Sequence, residues 1–184
     1  RLLTPLGMIY AQMSALRLRN TEAARVAAPV ICVGNLTAGG TGKTPTVIAL
    51  LERLADRNCD AHVISRGYGG KLAGPVLVDN RTNSAADVGD EPLLLSAFAP
   101  VWVGADRAAS ARRAVDAGAK AIVMDDGFQN PGLAKDFSIV VINASRGFGN
   151  GRVIPAGPLR EPVDVGMSRA DAVLVIGASK DRAT

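Results

Sequence analysis

Residues 29–46 read PVICVGNLTAGGTGKTPT. An apolar run over 30–33 ends at Gly34, passes through a turn carrying Gly39, Gly40 and Gly42, and reaches Lys43-Thr44 at the head of an amphipathic segment. The spacing predicts a strand, a phosphate loop and a helix, in that order. Glycines at 39, 40 and 42, with Thr41 between them, let backbone N–H groups close around phosphate oxygens, and the helix N-terminus adds partial positive charge. Lys43 can then reach the outer phosphates and Thr44 can hold Mg²⁺. The ligand this implies is a nucleoside triphosphate, read here as ATP. The usual G-x-x-x-x-G-K-S/T spacing wants a glycine at 37, where this chain has Thr37.

Downstream, Val47, Leu50, Leu51 and Leu54 repeat at helical spacing, and a short buried strand follows over 61–65. The unit is βαβ. Further strands are expected over 76–78, 100–103, 120–124, 137–142 and 172–176, with an alanine-rich helix over 106–117 closed by Gly118. Alternating strands and helices predict an α/β domain with a mainly parallel sheet and right-handed crossovers, of P-loop NTPase type. The polar stretch over 79–87 has no periodicity and reads as a mobile loop or lid.

The 184 residues, 48% of them hydrophobic, are enough to bury one core. Of the net charge of +4, the first 28 residues carry +3, from Arg1, Arg17, Arg19 and Arg25 against Glu22. The basic excess is therefore local, and with aromatics at 4% a nucleic-acid surface is not expected. Cys32 and Cys59 lack metal-ligand spacing and fit a reducing compartment. Within the basic segment Leu2, Leu6, Ile9, Met13 and Leu16 recur every three or four residues, predicting an amphipathic helix. Its apolar face either packs on the domain's own core or lies in a membrane interface. No apolar run reaches the ~18 residues needed to cross a bilayer.

The remaining chemistry gathers where strands end. The sequence SRGYGG over 65–70 puts Arg66 and Tyr68 on a flexible loop at a strand's carboxyl end, the edge where open α/β sheets hold ligands. VGDEP over 88–92 starts a helix with Asp90 in a capping position and Glu91 beside it. Arg107 stands in the first turn of its helix, where the dipole disfavours a cation, so an anion contact is expected. The strand over 120–124 runs into Asp125-Asp126-Gly127-Phe128-Gln129, and an acid at the end of a buried strand is what a phosphate-loop enzyme needs to hold Mg²⁺ or its waters. The stretch over 146–162, RGFGNGRVIPAGPLREP, is too rich in Gly and Pro for a regular element and reads as a binding loop. His62 lies inside a strand and reads as a packed residue.

Taken in this order, VGNLTAGGTGKTP, SRGYGG, VGDEP, DDGFQN and RGFGNGRVIPAGPLREP resemble the tetraacyldisaccharide 4'-kinases of lipid A biosynthesis, from the first helix to the end of the chain. The resemblance implies transfer of the γ-phosphate of ATP to the 4'-hydroxyl of a tetraacyldisaccharide 1-phosphate, giving lipid IVA, on the cytoplasmic face of the bacterial inner membrane. It also implies roles. Lys43 and Thr44 serve phosphate and Mg²⁺, and Asp90 takes the sugar hydroxyl's proton. Glu91, Asp125, Asp126 and Gln129 organise the metal and its waters. Arg66, Tyr68, Arg107, Arg160 and Glu161 line the phosphate and sugar region. Residues 1–28 become a membrane-associating helix and 29–184 the P-loop kinase domain. The protein is expected to act as a monomer on the lipid A disaccharide precursor, at the membrane surface and without nucleic acid.

Family members continue into a C-terminal lobe that helps close the nucleotide site and supplies a histidine, and His62 does not match it. Residues 1–184 alone are therefore expected to be weak or inactive as a kinase. Two other readings stand beside this one. A partition-type P-loop ATPase would carry a lysine at 38, where this chain has Ala38. A non-catalytic nucleotide-binding fragment would bind without turnover.

Overall fold

The computed structural model describes residues 3–177. Arg1 and Leu2, assigned by pattern to the first helix, lie outside that span. The apolar runs form strands β1 (Val30–Gly34), β2 (Ala61–Ser65), β3 (Val76–Leu77), β4 (Val101–Val103), β5 (Ala121–Asp125), β6 (Phe137–Asn143) and β7 (Ala172–Ile176). Between and before them lie helices α1 (Thr4–Asn20), α2 (Lys43–Ala55), α3 (Ala85–Val88), α4 (Asp90–Leu95), α5 (Arg107–Asp116) and α6 (Val163–Met167). Among the described residues the strands join one sheet in the order β3-β4-β2-β5-β1-β6-β7. Every pairing is parallel except β3 with β4. The mainly parallel α/β sheet expected from sequence is present.

Parallel strands covered on both faces read as continuous apolar runs. That is why AIVMD over β5 is buried throughout. Its Ile122 and Met124 join one core with Cys32, Ile64 and the alanines of α5. Ala121 and Val123 join the other with Val47 and Leu51 of α2. The register matters for function: Val33 pairs with Asp125, so the loop leaving β1 starts beside the acidic end of β5.

Three local expectations change. Asp90 does not cap its helix: it is the first residue of α4, the cap position belongs to Gly89, and no side chain caps there. The stretch over 79–87 runs into a regular element, since Ser84 and Asp87 form a capping box on the four-residue α3, too short to show periodicity. The Gly- and Pro-rich stretch is followed by a five-residue α6 that no repeat announces.

Among the described residues, helix α1 does not bury its apolar face in the domain's core. It meets the domain through small residues: Gly7 is buried, and a Cβ there would fall 2.8 Å from the carbonyl oxygen of Val153. Arg152 Nη1 donates to Thr4 Oγ1 at 3.2 Å. The large side chains Leu6, Ile9, Met13 and Leu16 are 53–66% exposed. The stripe faces away from the domain's core. Among the described residues no helix is long and apolar enough to cross a membrane.

Candidate active site

The loop between β1 and α2 is shaped from inside by Asn35, whose Nδ2 donates to Gly39 O at 3.3 Å and to Thr41 Oγ1 at 3.1 Å. Gly42 ends it with φ 93°, a left-handed turn that delivers Lys43 as the first residue of α2. Lys43 is buried, and its Nζ lies 3.7 Å from Asp126 Oδ1. Thr44 follows on the same turn, half-buried. Helix start, glycine turn and lysine stand as a phosphate loop requires.

Beside this loop the end of β5 places Asp125 and Asp126. Asp125 is 2% exposed, and Ser65 Oγ, from the end of β2, donates to its Oδ2 at 3.5 Å. Burial, reinforced by the Glu91 and Asp126 carboxylates, pushes its pKa up to about 7. Asp126 adopts φ 49°, a left-handed conformation that aspartate tolerates better than most residues. Its carboxylate takes a two-pronged pair from Arg160, at 2.9 and 3.0 Å. Gly34 allows the approach: a Cβ on it would stand 2.5 Å from that of Phe128, forcing this loop off β1.

Behind the acid pair lies a network that the motifs do not reveal. Arg160 Nη1 also donates to Gln129 Oε1 at 3.3 Å. Gln129 Nε2 donates to Asn35 O at 2.9 Å and to Glu161 Oε1 at 3.0 Å. Glu161 is 2% exposed and needs a counter-charge. Arg169 supplies it, donating to Glu161 Oε2 and, at 3.2 Å, to Phe128 O, while its guanidinium lies 4.5 Å from the Phe128 ring centre. The phosphate loop, the Asp125-Asp126 turn and the segment over 159–161 are thus one hydrogen-bonded unit.

Arg107 is 4% exposed; one of its amine groups donates to Gly104 O and its Nε has no partner. Burial and the neighbouring Arg66 guanidinium push its pKa down to about 10. An orphaned, repelled cation is one an incoming anion would relieve. Asp90, Glu91 and Tyr68 are exposed, Tyr68 by 87%. Their segments are tied together, since Lys71 N donates to Ala86 O at 3.1 Å and Leu72 N to Asp87 O at 2.9 Å.

Direct contacts therefore join Lys43, Asp126, Gln129, Arg160 and Glu161, and charge effects link Glu91, Asp125, Arg66 and Arg107 to them. Asp90, Thr44 and Tyr68 make no side-chain hydrogen bond among the described residues. Sequence reasoning missed Asn35, Ser65 and Arg169. The first two lie inside quoted motifs, but nothing in the sequence singles out Arg169.

Mg²⁺ fits this donor set. Among the described residues no three acidic, His or Cys side chains converge into a closed cage, and Mg²⁺ is usually held by one or two carboxylates plus waters and substrate phosphates. A buried Asp125 destabilised by two neighbouring acids is a ligand that a cation would relieve.

Comparison with known proteins points the same way. The family model LpxK, tetraacyldisaccharide-1-P 4'-kinase, matches residues 1–184. The tetraacyldisaccharide 4'-kinase of Dinoroseobacter shibae is 66% identical over 177 residues, 96% of this chain and 52% of the relative. That of Jannaschia sp. is 61% identical over 176 residues, 96% of this chain and 54% of the relative. The chain spans about half the length of the curated relatives it matches. A crystal structure of LpxK from Aquifex aeolicus in complex with ATP superposes with a TM-score of 0.83 at 29% identity, over 98% of this chain and 59% of that one. With its motifs and a family match over residues 1–184 in agreement, the chain belongs to the tetraacyldisaccharide-1-P 4'-kinase family.

Proposed function

We propose that this chain carries the ATP- and acceptor-binding half of a kinase that transfers the γ-phosphate of ATP to the 4'-hydroxyl of a tetraacyldisaccharide 1-phosphate, giving lipid IVA. One observation carries the reading: Lys43 of the phosphate loop and the Asp125-Asp126 pair stand together at the carboxyl ends of adjacent strands β1 and β5. Phosphoryl transfer asks mainly for positioning and charge stabilisation, and this edge offers both.

The roles follow from charge and placement. Gly39, Gly40, Thr41 and Gly42 present backbone N–H groups to phosphate oxygens, and Lys43 meets the outer phosphates. Arg66, Arg107 and Arg160 add positive charge around the group in transit, and Tyr68 stands at the rim for the sugar. Thr44, Glu91, Asp125 and Asp126 would hold Mg²⁺ or its waters, with Gln129 and Glu161 fixing Arg160 and the acidic turn from behind. Mg²⁺, when bound, neutralises charge on the β- and γ-phosphate oxygens. Asp90, exposed at the head of α4, accepts the proton of the 4'-hydroxyl as it attacks phosphorus.

The substrate is an acidic lipid, and α1 supports access to it. Its outward apolar stripe, with Arg17 and Arg19 in the last turn, suits a helix lying in an anionic membrane surface. Residues 1–28 would then seat residues 29–184, as a monomer, on the cytoplasmic face of the bacterial inner membrane. The test is ADP release with and without the disaccharide in detergent micelles. Release that requires the lipid acceptor supports the kinase. Equal hydrolysis without lipid would favour a partition-type ATPase, and ATP binding without turnover in either condition would favour a binding fragment.

A further inference from the structure

Arg146 follows β6 in the segment over 144–151, and neither the phosphate-loop pattern nor the acidic network uses it. Its backbone is fixed: Asn143 Oδ1 accepts from Ser145 N at 3.0 Å, from Ser145 Oγ at 2.6 Å and from Arg146 N at 3.3 Å. Its side chain is brought to the phosphate loop, where Nη1 lies 3.9 Å from the position a Cβ would take on Gly39. Gly39 has φ 110° and meets nothing else within 4 Å on that side. The guanidinium therefore stands over an open glycine of the loop.

The other cations near this loop are engaged or lie elsewhere. Lys43 faces Asp126, Arg160 grips the same carboxylate in two prongs, and Arg66 and Arg107 follow β2 and β4, on the β5 side of β1. Arg146 makes no ion pair among the described residues and is exposed. An arginine kept close to a phosphate loop with its charge unspent is placed to form charge-assisted hydrogen bonds with an anion.

Strand order says which part of the ligand it would meet. The acids sit on the β5 side of β1, with Glu91 beyond them acting on Asp125. Arg146 comes from β6, on the opposite side of β1. If the terminal phosphate is turned toward the acids and the acceptor, the chain of phosphates crosses the loop and its nucleoside end leaves toward β6. We infer that Arg146 is a nucleotide-binding residue of this site, contacting the α- and β-phosphates on the nucleoside side. The inference rests on the reading of residues 34–44 as an ATP loop. It adds a contact that ADP shares with ATP.

The experiment is equilibrium binding of ATP and of ADP, each with Mg²⁺, to the purified protein and to Arg146→Ala, Arg146→Lys and Lys43→Ala. Thermal unfolding of each variant serves as a folding control. Arg146→Ala is expected to weaken both nucleotides about tenfold, the scale of one charge-assisted hydrogen bond. Arg146→Lys should recover part of that loss, because it keeps the charge but not the planar fork. Wild-type affinity for both nucleotides in Arg146→Ala, with Lys43→Ala impaired, would overturn the inference and leave the ATP reading standing. A loss confined to ATP would also overturn it, since it would put the guanidinium on the terminal phosphate. No ATP binding by wild type, or none lost in Lys43→Ala, would remove the ATP reading and the inference with it.

Discussion

Trp102 Nε1 donates to His62 Nδ1 at 3.2 Å across the parallel strands β4 and β2, and these are the chain's one tryptophan and one histidine. An acceptor at Nδ1 must be unprotonated, and burial lowers the His62 pKa below its usual 6.5, opposed only in part by Asp60. The unfolded chain therefore takes up the proton first as pH falls. Stability is expected to decrease on acidification below pH 6.5 and to level off once the folded state is protonated as well. Urea unfolding followed by Trp102 fluorescence at about pH 7.5 and about pH 5.5 measures this; His62→Gln should remove the step. A stability unchanged across that interval would contradict the bond. At the active edge, Asp125 and Asp126 were legible as the acids that end a buried strand, and Lys43 as the lysine of a glycine turn. The partners of these residues were not. Nothing in the order of residues says that Arg160 grips Asp126 or that Arg169 neutralises Glu161, because both depend on how distant loops pack.

Two short segments, over 67–72 and 86–89, are tied together beside the acids, and a glycine at their contact sets their distance. Gly89 has φ 91°, and a Cβ on it would lie 2.6 Å from Tyr68 O. Gly89→Ala combines left-handed strain with a backbone clash and is expected to cost about 1–3 kcal/mol, read as a lowered midpoint in thermal unfolding. Helix α1 makes the opposite prediction. Since Ile9 and Met13 are 54% and 66% exposed, Ile9→Asp and Met13→Asp should change stability by no more than about 0.5 kcal/mol. The same changes should abolish sedimentation with vesicles containing anionic lipid; undiminished sedimentation would sink the membrane role of α1. The long elements were readable because their apolar runs are unbroken or repeat over several turns. Helices α3 and α6, with four and five residues, are shorter than two turns and leave no period to detect. The cap at residue 89 was misread because Asp-Glu-Pro also begins helices in which the aspartate is the cap.

One edge of the sheet collects the chemistry. The segments after β1, β2, β5 and β6 bring the phosphate loop, Arg66, the acid pair and Arg146 to its carboxyl side, the edge where open parallel sheets hold ligands. The class of sheet could be read from alternating strands and helices, but its order could not. That β5 lies next to β1, almost ninety residues earlier in sequence, is a non-local pairing that local pattern does not encode. Yet this adjacency puts Asp125 beside the phosphate loop and makes the acids and Lys43 one site. The most direct measurement of that claim is the fate of labelled γ-phosphate from ATP supplied with the lipid A disaccharide precursor, with the product identified by mass and by the position of the phosphate. In a kinase of full family length that carries these residues, the account predicts label at the 4'-hydroxyl, reduced by at least about a hundredfold in Lys43→Ala and in Asp90→Ala, with ATP binding kept in Asp90→Ala. Undiminished transfer in both variants, or label delivered only to water, would contradict it.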